Sequence, residues 1–291
     1  MAPAPNAPFE PRLLRLRKRR VARGFANAAF LHARAADDLA DRLEAIPRQF
    51  ERVAVLGSGE LFARALGGRP TLAERLGETV AFDVADVDLD FLPLGEQQFD
   101  LVVSPLVLHW ANDLPGVFIQ IRRALKPDGL MLASLLGGDT LTELRFSLLE
   151  AEAEITGGAA HRVSPFAQLQ DLAGLVQRAG FALPAADRDV LTVRYAHPLK
   201  LVADLRAMGE TAAFAERAPR GLSKRILGRM IEIYRVRHAD PDGRVRATFE
   251  ILTATGWAPH ESQQKPLRPG SAKTRLADAL GVSETKVKRD D

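Results

Sequence analysis

The sequence contains no cysteine among its 291 residues. This absence excludes disulfide bonds, thiolate zinc sites, iron–sulfur ligation by this chain and a cysteine nucleophile, and it fits a reducing compartment. The six histidines are scattered and show no His-Glu-x-x-His spacing, so we expect no metal site. A Gly-x-Ser-x-Gly segment, which would predict a hydrolase nucleophile, is also absent.

Long apolar runs and a strong charge imbalance are absent as well. No apolar run reaches the roughly 18 residues of a membrane span, and the first residues lack the apolar segment of a secretory signal. The 40 Lys and Arg residues nearly balance the 37 Asp and Glu residues, so we expect no nucleic-acid partner. The basic residues concentrate in the segment Arg12–Arg23. This segment has two interpretations, contact with an anionic membrane or acidic partner, or the solvated face of a helix. We expect a cytoplasmic protein, with the membrane contact placing it at the inner face.

The order of the predicted elements indicates the fold class. A helix is followed by alternating strands and helices, then by further helices and a last strand, which predicts an α/β, doubly wound, mostly parallel sheet. We expect a disordered lead over residues 1–11, one domain over residues 12–258 and a polar tail over residues 259–291. Within the domain we predict an N-terminal helix (12–46), a core (51–136), substrate-side helices (139–240) and a last strand (245–257).

The first motif follows the apolar run 52–56, which predicts a buried strand. Gly57-Ser58-Gly59 comes directly after it and opens a helix. This arrangement either brings the backbone close to a nucleoside or forms a tight strand-to-helix turn. An acid at the tip of the next strand would bind ribose hydroxyls. Asp83 is the first candidate and Asp88 the second, and the alternative is that both are solvated loop acids.

The segment Phe99–Trp110 has the sequence FDLVVSPLVLHW. Its first six residues predict a strand that delivers Ser104 to the carboxyl edge of the sheet. His109 would serve as an acid or base near neutral pH, and Trp110 would offer a flat apolar wall. The alternative is a packed histidine and a core tryptophan. A further strand is predicted over residues 87–91.

Two more motifs follow. Asp139, Thr140 and Arg145 lie in GGDTLTELR, directly after a predicted strand, where the two glycines and a helix start form a binding corner or a helix cap alone. Trp257, His260 and Glu261 lie in a polar segment that continues to residue 272. This segment is either a binding surface or a solvated linker.

Taken together, the Gly-x-Gly turn, FDLVVSPLVLHW and LKPDG resemble the class I S-adenosylmethionine (SAM)-dependent methyltransferases over residues 52–136. Over roughly residues 9–272 the chain is similar to the respiratory complex I assembly factor 5 family. The stretches that carry this similarity are LHWANDLP, GGDTLTELR, SPFAQLQDLAGLVQRAGF, DLRAMGE and GW-x2-HESQ-x2-P-x3-GSA. A more distant resemblance is to the malonyl-carrier-protein methyltransferase of biotin synthesis.

The resemblance implies a SAM-methyltransferase fold, SAM as cofactor, and action on an arginine or a nearby residue of a complex I subunit during assembly. It implies cofactor contacts by Gly57, Gly59, Asp83, Asp88 and Ser104, and catalytic roles for His109, Asp139 and Glu261. The implied substrate side comprises Trp110, Thr140, Arg145, Trp257 and His260.

The chain departs from the methyltransferase pattern at two positions. Val55 stands where the superfamily has an acid, and Leu61 stands at the third glycine position. The stretch between Asp83 and Val87 is too short for a helix, so we expect a sheet reduced around its second and third strands. These departures leave two alternatives open, a non-catalytic assembly chaperone with a degenerate SAM site and a small-molecule or carrier-protein methyltransferase.

Overall fold

The computed structural model describes residues 7–216 and 221–263. The chain divides into two compact units, residues 1–259 and 260–291. Only residues 260–263 of the second unit are described. Most of the predicted polar tail, including the motif residues up to 272, therefore lies outside the described residues.

Helices and strands alternate along the first unit. In chain order they are α1 (Pro11–Ala28), α2 (Phe30–Glu44), β1 (Phe50–Leu56), α3 (Gly59–Gly67), α4 (Pro70–Ala73), β2 (Leu76–Phe82), β3 (Phe99–Ser104), α5 (Leu114–Ala124), β4 (Leu125–Leu136), α6 (Thr142–Thr156), α7 (Leu169–Arg178), β5 (Ala182–Tyr195), α8 (Pro198–Ala207), α9 (Lys224–His238) and β6 (Val245–Trp257). A 3-10 turn (Leu108–Trp110) follows β3.

The strands form one sheet in the order β2-β1-β3-β4-β6-β5. The neighbours from β2 to β4 run parallel, whereas β6 is antiparallel to β4 and β5 is antiparallel to β6. The predicted doubly wound, mostly parallel sheet is therefore confirmed. The predicted bounds of β3 and β6 agree with the structure, but β5 begins at Ala182, well before the predicted start at Val190.

Both faces of the sheet are covered. One face packs on α2 and α3 through a core that includes Leu39, Phe62 and Val53. The other packs on α5 and α7 through a core that includes Phe118 and Val176. A third cluster joins α6, α8 and α9 to β6. Among the helices of the described residues, none combines the length and apolar character needed to cross a membrane.

The N-terminal region differs from its prediction in two ways. The single helix predicted over residues 12–46 is two helices, because Ala29 (φ −82°, ψ 47°) leaves the helical conformation and buries its side chain in the core. The prediction of a disordered lead over residues 1–11 is wrong for residues 7–11, which the structure describes. Phe9 is buried, pairs with Phe214 in a β-bridge and packs edge-on against Trp110, with 5.1 Å between ring centroids.

The connection between β2 and β3 is short, as the sequence predicts. Residues 83–98 contain no helix. No strand of the sheet lies beyond β2 among the described residues, so β2 is the edge strand on that side. The strand predicted over residues 87–91 is wrong, since this segment forms a turn with one isolated bridge between Asp88 and Phe91. The Asp88 carboxylate accepts the Asp90 N–H (3.1 Å) and holds this turn.

Candidate cofactor and substrate site

A cavity of about 160 Å³ lies at the carboxyl ends of β1, β2 and β3. Residues 57–60, 83–85 and 105–107 form its floor and sides, and side chains of α1 together with His32 of α2 cover it. Ligands of open parallel sheets bind at this edge. We refer to this space as the glycine-turn cavity.

The two glycines of the turn have different structural roles. Gly57 has φ +117°, a conformation that side-chain-bearing residues rarely adopt, and a Cβ added there would contact the Pro105 carbonyl oxygen (3.5 Å) and the Val107 side chain (3.7 Å). A Cβ on Gly59 would stand 2.7 Å from the Ala81 Cβ, so Gly59 allows α3 to pack closely on β2. The turn is thus both a tight strand-to-helix connection and a cavity wall, which combines the two interpretations offered by the sequence.

The departures at positions 55 and 61 are apolar core positions in the structure. Val55 and Leu61 are buried in the core between the sheet and the helices α2 and α3. The acids on the cavity wall are instead Glu60 and Asp83. One Asp83 carboxylate oxygen accepts the Ala85 N–H (2.7 Å), which fixes the side chain at the tip of β2.

Two other predicted cofactor residues are not on this wall. Asp88 lies in a separate crevice, where Arg15 approaches it to 3.5 Å. Ser104 is fully buried at the end of β3, and its hydroxyl has no hydrogen-bond partner among the described residues. The next residue, Pro105, does line the cavity.

A buried group of charged and aromatic side chains adjoins the cavity, and two of its members, Lys18 and His32, line it. Its members, which we call the Glu210 cluster, are Lys18, His32, His109, Trp110 and Glu210. Lys18 Nζ and His32 Nε2 (3.1 Å) contact Glu210 Oε1. His109 Nε2 and Trp110 Nε1 contact Glu210 Oε2, each at 3.0 Å. His109 and Trp110, predicted separately for the site, therefore meet on one carboxylate.

The electrostatics of the Glu210 cluster favour an ionised carboxylate. Burial on its own would raise the pKa of Glu210, but the Lys18 ammonium and His109 hold that pKa well below its ordinary value. Burial lowers the pKa of His32, against the opposing hydrogen bond and charge of Glu210. Lys18 therefore supplies the counter-charge to Glu210, and His32 is neutral near pH 7.

Glu210 was not among the residues predicted for the site. It follows α8 in the stretch DLRAMGE, where it reads as an ordinary loop acid. One signal was available, since Glu210 is the one charged residue of the otherwise uncharged stretch 208–215. Its partners lie between 100 and 192 residues away in sequence, so spacing gave no indication of the contact.

Four of the seven basic residues in the segment Arg12–Arg23 contact other parts of the chain. Arg17 donates to the Thr211 carbonyl (2.7 Å), and Arg19 donates to the Ala85 carbonyl (3.0 Å). Arg15 and Lys18 pair with the acids described above. The exposed basic residues of this segment that remain are Arg12, Arg20 and Arg23.

The motif GGDTLTELR forms an internal corner. The Thr140 hydroxyl exchanges two hydrogen bonds of 3.1 Å with the Glu250 backbone, and Arg145 donates to the carbonyls of Gly138 and Thr140. The buried Glu250 carboxylate accepts the Asp139 N–H (2.9 Å), while the Asp139 side chain itself is exposed. These residues hold the start of α6 against β6, and they do not line the glycine-turn cavity.

The remaining predicted residues lie elsewhere. Trp257 ends β6 beside Leu130, toward the amino-terminal edge of β4, with the Arg48 guanidinium 5.6 Å from its ring. The cavity is at the opposite edge of the sheet. His260 and Glu261 belong to the second unit, in which His260 Nδ1 lies 2.7 Å from the Ser262 hydroxyl. Within the described ranges, no group of three His, Asp or Glu side chains is arranged to hold a metal ion.

Comparison with known proteins identifies similar sequences. Residues 61–133 match the family described as Methyltransferase domain. The chain is 33% identical over 304 residues to "Arginine-hydroxylase NDUFAF5, mitochondrial" of Rattus norvegicus, covering 97% of this chain and 88% of that protein. The Danio rerio protein of the same name is 42% identical over 197 residues, which are 68% of this chain and 61% of its own length.

Two further likenesses concern the wider fold. A "Malonyl-[acyl-carrier protein] O-methyltransferase" of Halorhodospira halophila is 33% identical over 251 residues, which are 80% of this chain and 83% of that protein. The solved structure of the YcgJ protein of Bacillus subtilis superposes with a TM-score of 0.51 at 13% identity, covering 76% of this chain and 98% of that one. The second likeness concerns the fold alone.

Proposed function

This chain belongs to the arginine-hydroxylase NDUFAF5 family, and on that premise we propose that it modifies an arginine, or a residue near it, in a subunit of respiratory complex I during assembly. The observation that carries the proposal is the glycine-turn cavity at the carboxyl edge of a methyltransferase-type sheet. The Glu210 cluster, which adjoins the cavity through Lys18 and His32, adds a carboxylate that can bind a cationic side chain.

The residues of the cavity fit SAM. Gly57 lines the cavity and carries no side chain, so a ligand can approach its backbone. Asp83 lies at the tip of β2, where a carboxylate can accept hydrogen bonds from ribose hydroxyls. Glu60 lines the same cavity, and its charge complements the ammonium of the methionine end. When bound, SAM supplies an electrophilic methyl group on a positively charged sulfonium.

The chain's own residues would position the protein substrate. His109 and Trp110 are held by Glu210 and cannot turn freely. Phe166 stacks edge-on against the His109 ring, with 5.9 Å between centroids. These contacts hold the two rings in fixed orientations beside Lys18 and His32, which line the cavity, and fixed positioning near the reacting centre is what such a reaction requires.

Two measurements test this function. Calorimetry of the full chain with SAM and with S-adenosylhomocysteine comes first, and micromolar binding is expected. The chain is then co-expressed with the candidate complex I subunit from the same source, and the subunit is analysed by peptide mass spectrometry. An added oxygen on an arginine indicates hydroxylation, and an added methylene indicates methylation.

The alternatives predict other outcomes. A non-catalytic chaperone, which the apolar Val55 and Leu61 favour, predicts no SAM binding together with retained binding of the subunit. A carrier-protein methyltransferase, favoured by the Halorhodospira halophila relative, predicts SAM binding and a methyl ester on malonyl carrier protein. Neither outcome includes a modified arginine.

We also propose that the protein works beside the inner face of the membrane, through Arg12, Arg20 and Arg23. Replacing these three exposed residues by serine should reduce flotation with anionic liposomes, since each basic residue near such a surface contributes about 1 kcal/mol. Unchanged flotation would remove this proposal. Arg17 and Lys18 are unsuitable for the test because they contact the chain itself.

A further inference from the structure

The Glu210 cluster has the composition of a binding site for a cation. The Glu210 side chain is 3% exposed and accepts contacts on both oxygens. The ammonium of Lys18 lies against this carboxylate and 5.9 Å from the centre of the Phe25 ring, within the range of a cation–π contact. A carboxylate and an aromatic ring thus surround one positive charge.

Fold stability alone does not account for this arrangement. A buried ion pair is commonly no more stabilising than apolar side chains of the same volume, because desolvation offsets the attraction. Within the described residues, neither His32 Nδ1 nor His109 Nδ1 has a hydrogen-bond partner, although both atoms are buried. The chain therefore keeps a buried charge and two unsatisfied imidazole nitrogens at one place.

A guanidinium matches these acceptors better than an ammonium does. It is planar, always charged and carries five N–H donors, two of which pair side by side with a carboxylate. The ammonium of Lys18 has three donors and approaches as a point charge.

The cluster is adjacent to the glycine-turn cavity. Lys18 and His32 both line that cavity and both contact Glu210. Lys18 has a flexible side chain, so a change in its rotamer would open Glu210 toward the cavity without unfolding α1. The route to Glu210 therefore passes the position of Lys18.

We infer that Glu210 is the residue that binds the guanidinium of the protein substrate, and that Lys18 occupies this site when substrate is absent. The inference rests on the proposed function, because that function supplies arginine as the substrate. It adds the binding residue, the internal cation that competes for it, and the requirement that Lys18 withdraws first.

The first experiment is chemical rescue in the full chain. Lys18→Ala removes the internal cation and leaves Glu210 exposed to a small guanidinium, for which ethylguanidine is the probe. Ethylguanidine should raise the melting temperature of Lys18→Ala in a saturable manner, relative to sodium chloride at the same ionic strength. It should have no such effect on Lys18→Ala/Glu210→Gln or on the control Arg20→Ala, an exposed position of the same helix.

Equal shifts in the single and double variants, or no shift in either, would overturn the inference. If Lys18→Ala is recovered folded only when ethylguanidine is present during purification, while the double variant folds without it, the result supports the inference. Ethylammonium at the same concentration reports whether the site prefers a planar cation.

The second experiment measures binding of N-acetyl-arginine methylamide in the presence of saturating S-adenosylhomocysteine. Lys18→Ala should bind this probe more tightly than the wild type, and Glu210→Gln should lose about tenfold or more of the wild-type affinity. The neutral analogue N-acetyl-citrulline methylamide should not bind. Retained arginine affinity in Glu210→Gln, or equal binding of the two probes, contradicts the inference.

Binding of S-adenosylhomocysteine separates the two levels of the proposal. If the wild type does not bind it, the proposed function fails at the cofactor. If the wild type and Glu210→Gln bind it equally but arginine affinity does not depend on Glu210, the function stands and the inference fails.

Discussion

Replacing Lys18 by methionine removes the counter-charge of a carboxylate that is almost fully buried. Methionine retains most of the side-chain volume, so the main effect is an unpaired Glu210. Breaking a buried pair in this way costs about 3–5 kcal/mol in the free energy of unfolding. For a domain of this size the loss corresponds to a fall in melting temperature of roughly 6–20 °C.

A double-mutant cycle isolates the electrostatic part of this loss. Glu210→Gln should cost about 1–3 kcal/mol, less than Lys18→Met, because the stranded ammonium can turn toward the cavity while the carboxylate cannot leave the core. The double variant Lys18→Met/Glu210→Gln has no buried charge to leave unpaired. The free energy of unfolding of the double variant should therefore be closer to the wild-type value than the free energy of unfolding of Lys18→Met is.

Urea unfolding followed by circular dichroism measures these differences, with the slopes checked for equality between variants. The matched control is Arg19→Met, one position along α1, which removes an exposed pair with Asp86 (side chains 62% and 73% exposed) and one hydrogen bond to the Ala85 carbonyl. An exposed pair of this kind contributes about 1 kcal/mol or less. The reasoning is refuted if Lys18→Met is no more destabilising than Arg19→Met.

The pH dependence gives an independent check. In the wild type the pKa of Glu210 is held well below its unfolded value, so its stabilising contribution is complete above the unfolded pKa and is lost only as pH falls through the lowered folded pKa. In Lys18→Met, burial without the ammonium raises the pKa of Glu210, so the folded variant takes up a proton and gains stability as pH falls. The deficit of Lys18→Met should narrow between pH 8 and pH 5, and a constant deficit would contradict this account.

Three further predictions concern the residues around the cavity and the internal corner. Gly57→Ala should lower the free energy of unfolding in urea by about 1–3 kcal/mol and weaken S-adenosylhomocysteine binding, because alanine is strained at φ +117°. The control is Gly67→Ala, where a Cβ meets open space, and it should change neither quantity. Asp83→Asn should reduce the affinity for S-adenosylhomocysteine in calorimetry by about tenfold, whereas Asp88→Asn, outside the cavity wall, should leave it unchanged; equal losses would remove Asp83 from the proposed cofactor site. Arg145→Met should lower the melting temperature without changing that affinity, because its guanidinium holds two loop carbonyls, and the opposite pattern would assign Arg145 to the binding site.

Much of the sheet was predictable because its central strands are buried on both faces. The runs that became β1 and β3 are apolar over most of their length and need no alternation to be recognised. The first half of β5 was not predictable in this way. Residues 182–189 are mostly exposed, carry Pro184 and three charges, and lie on an edge strand, so their conformation depends on pairing with β6 and not on local preference.

The candidate site was predictable only in part, for a related reason. Gly57 follows a strand that the sequence marks clearly, so its place at the sheet edge follows from the chain order. Asp83 was chosen as the acid at the tip of the next strand, although β2 is mostly exposed and carries a weaker signal. Glu210 and Lys18 follow no such rule, since each lies at a position fixed by tertiary packing. His109 was predicted as a site residue because of its chemistry. Its partner Glu210, which lies 101 residues later in the sequence, was not predicted.

The distance in sequence between Lys18 and Glu210 has a consequence for the order in which the protein is made. The two residues are 192 positions apart, and at about 5–20 residues per second a ribosome needs roughly 10–40 s to synthesise the second after the first. During that interval α1 has none of its partners from residues 210–212. A newly made chain therefore gains the complete cover of its cavity late in synthesis, and cofactor or client binding would mark a domain whose translation has passed residue 212.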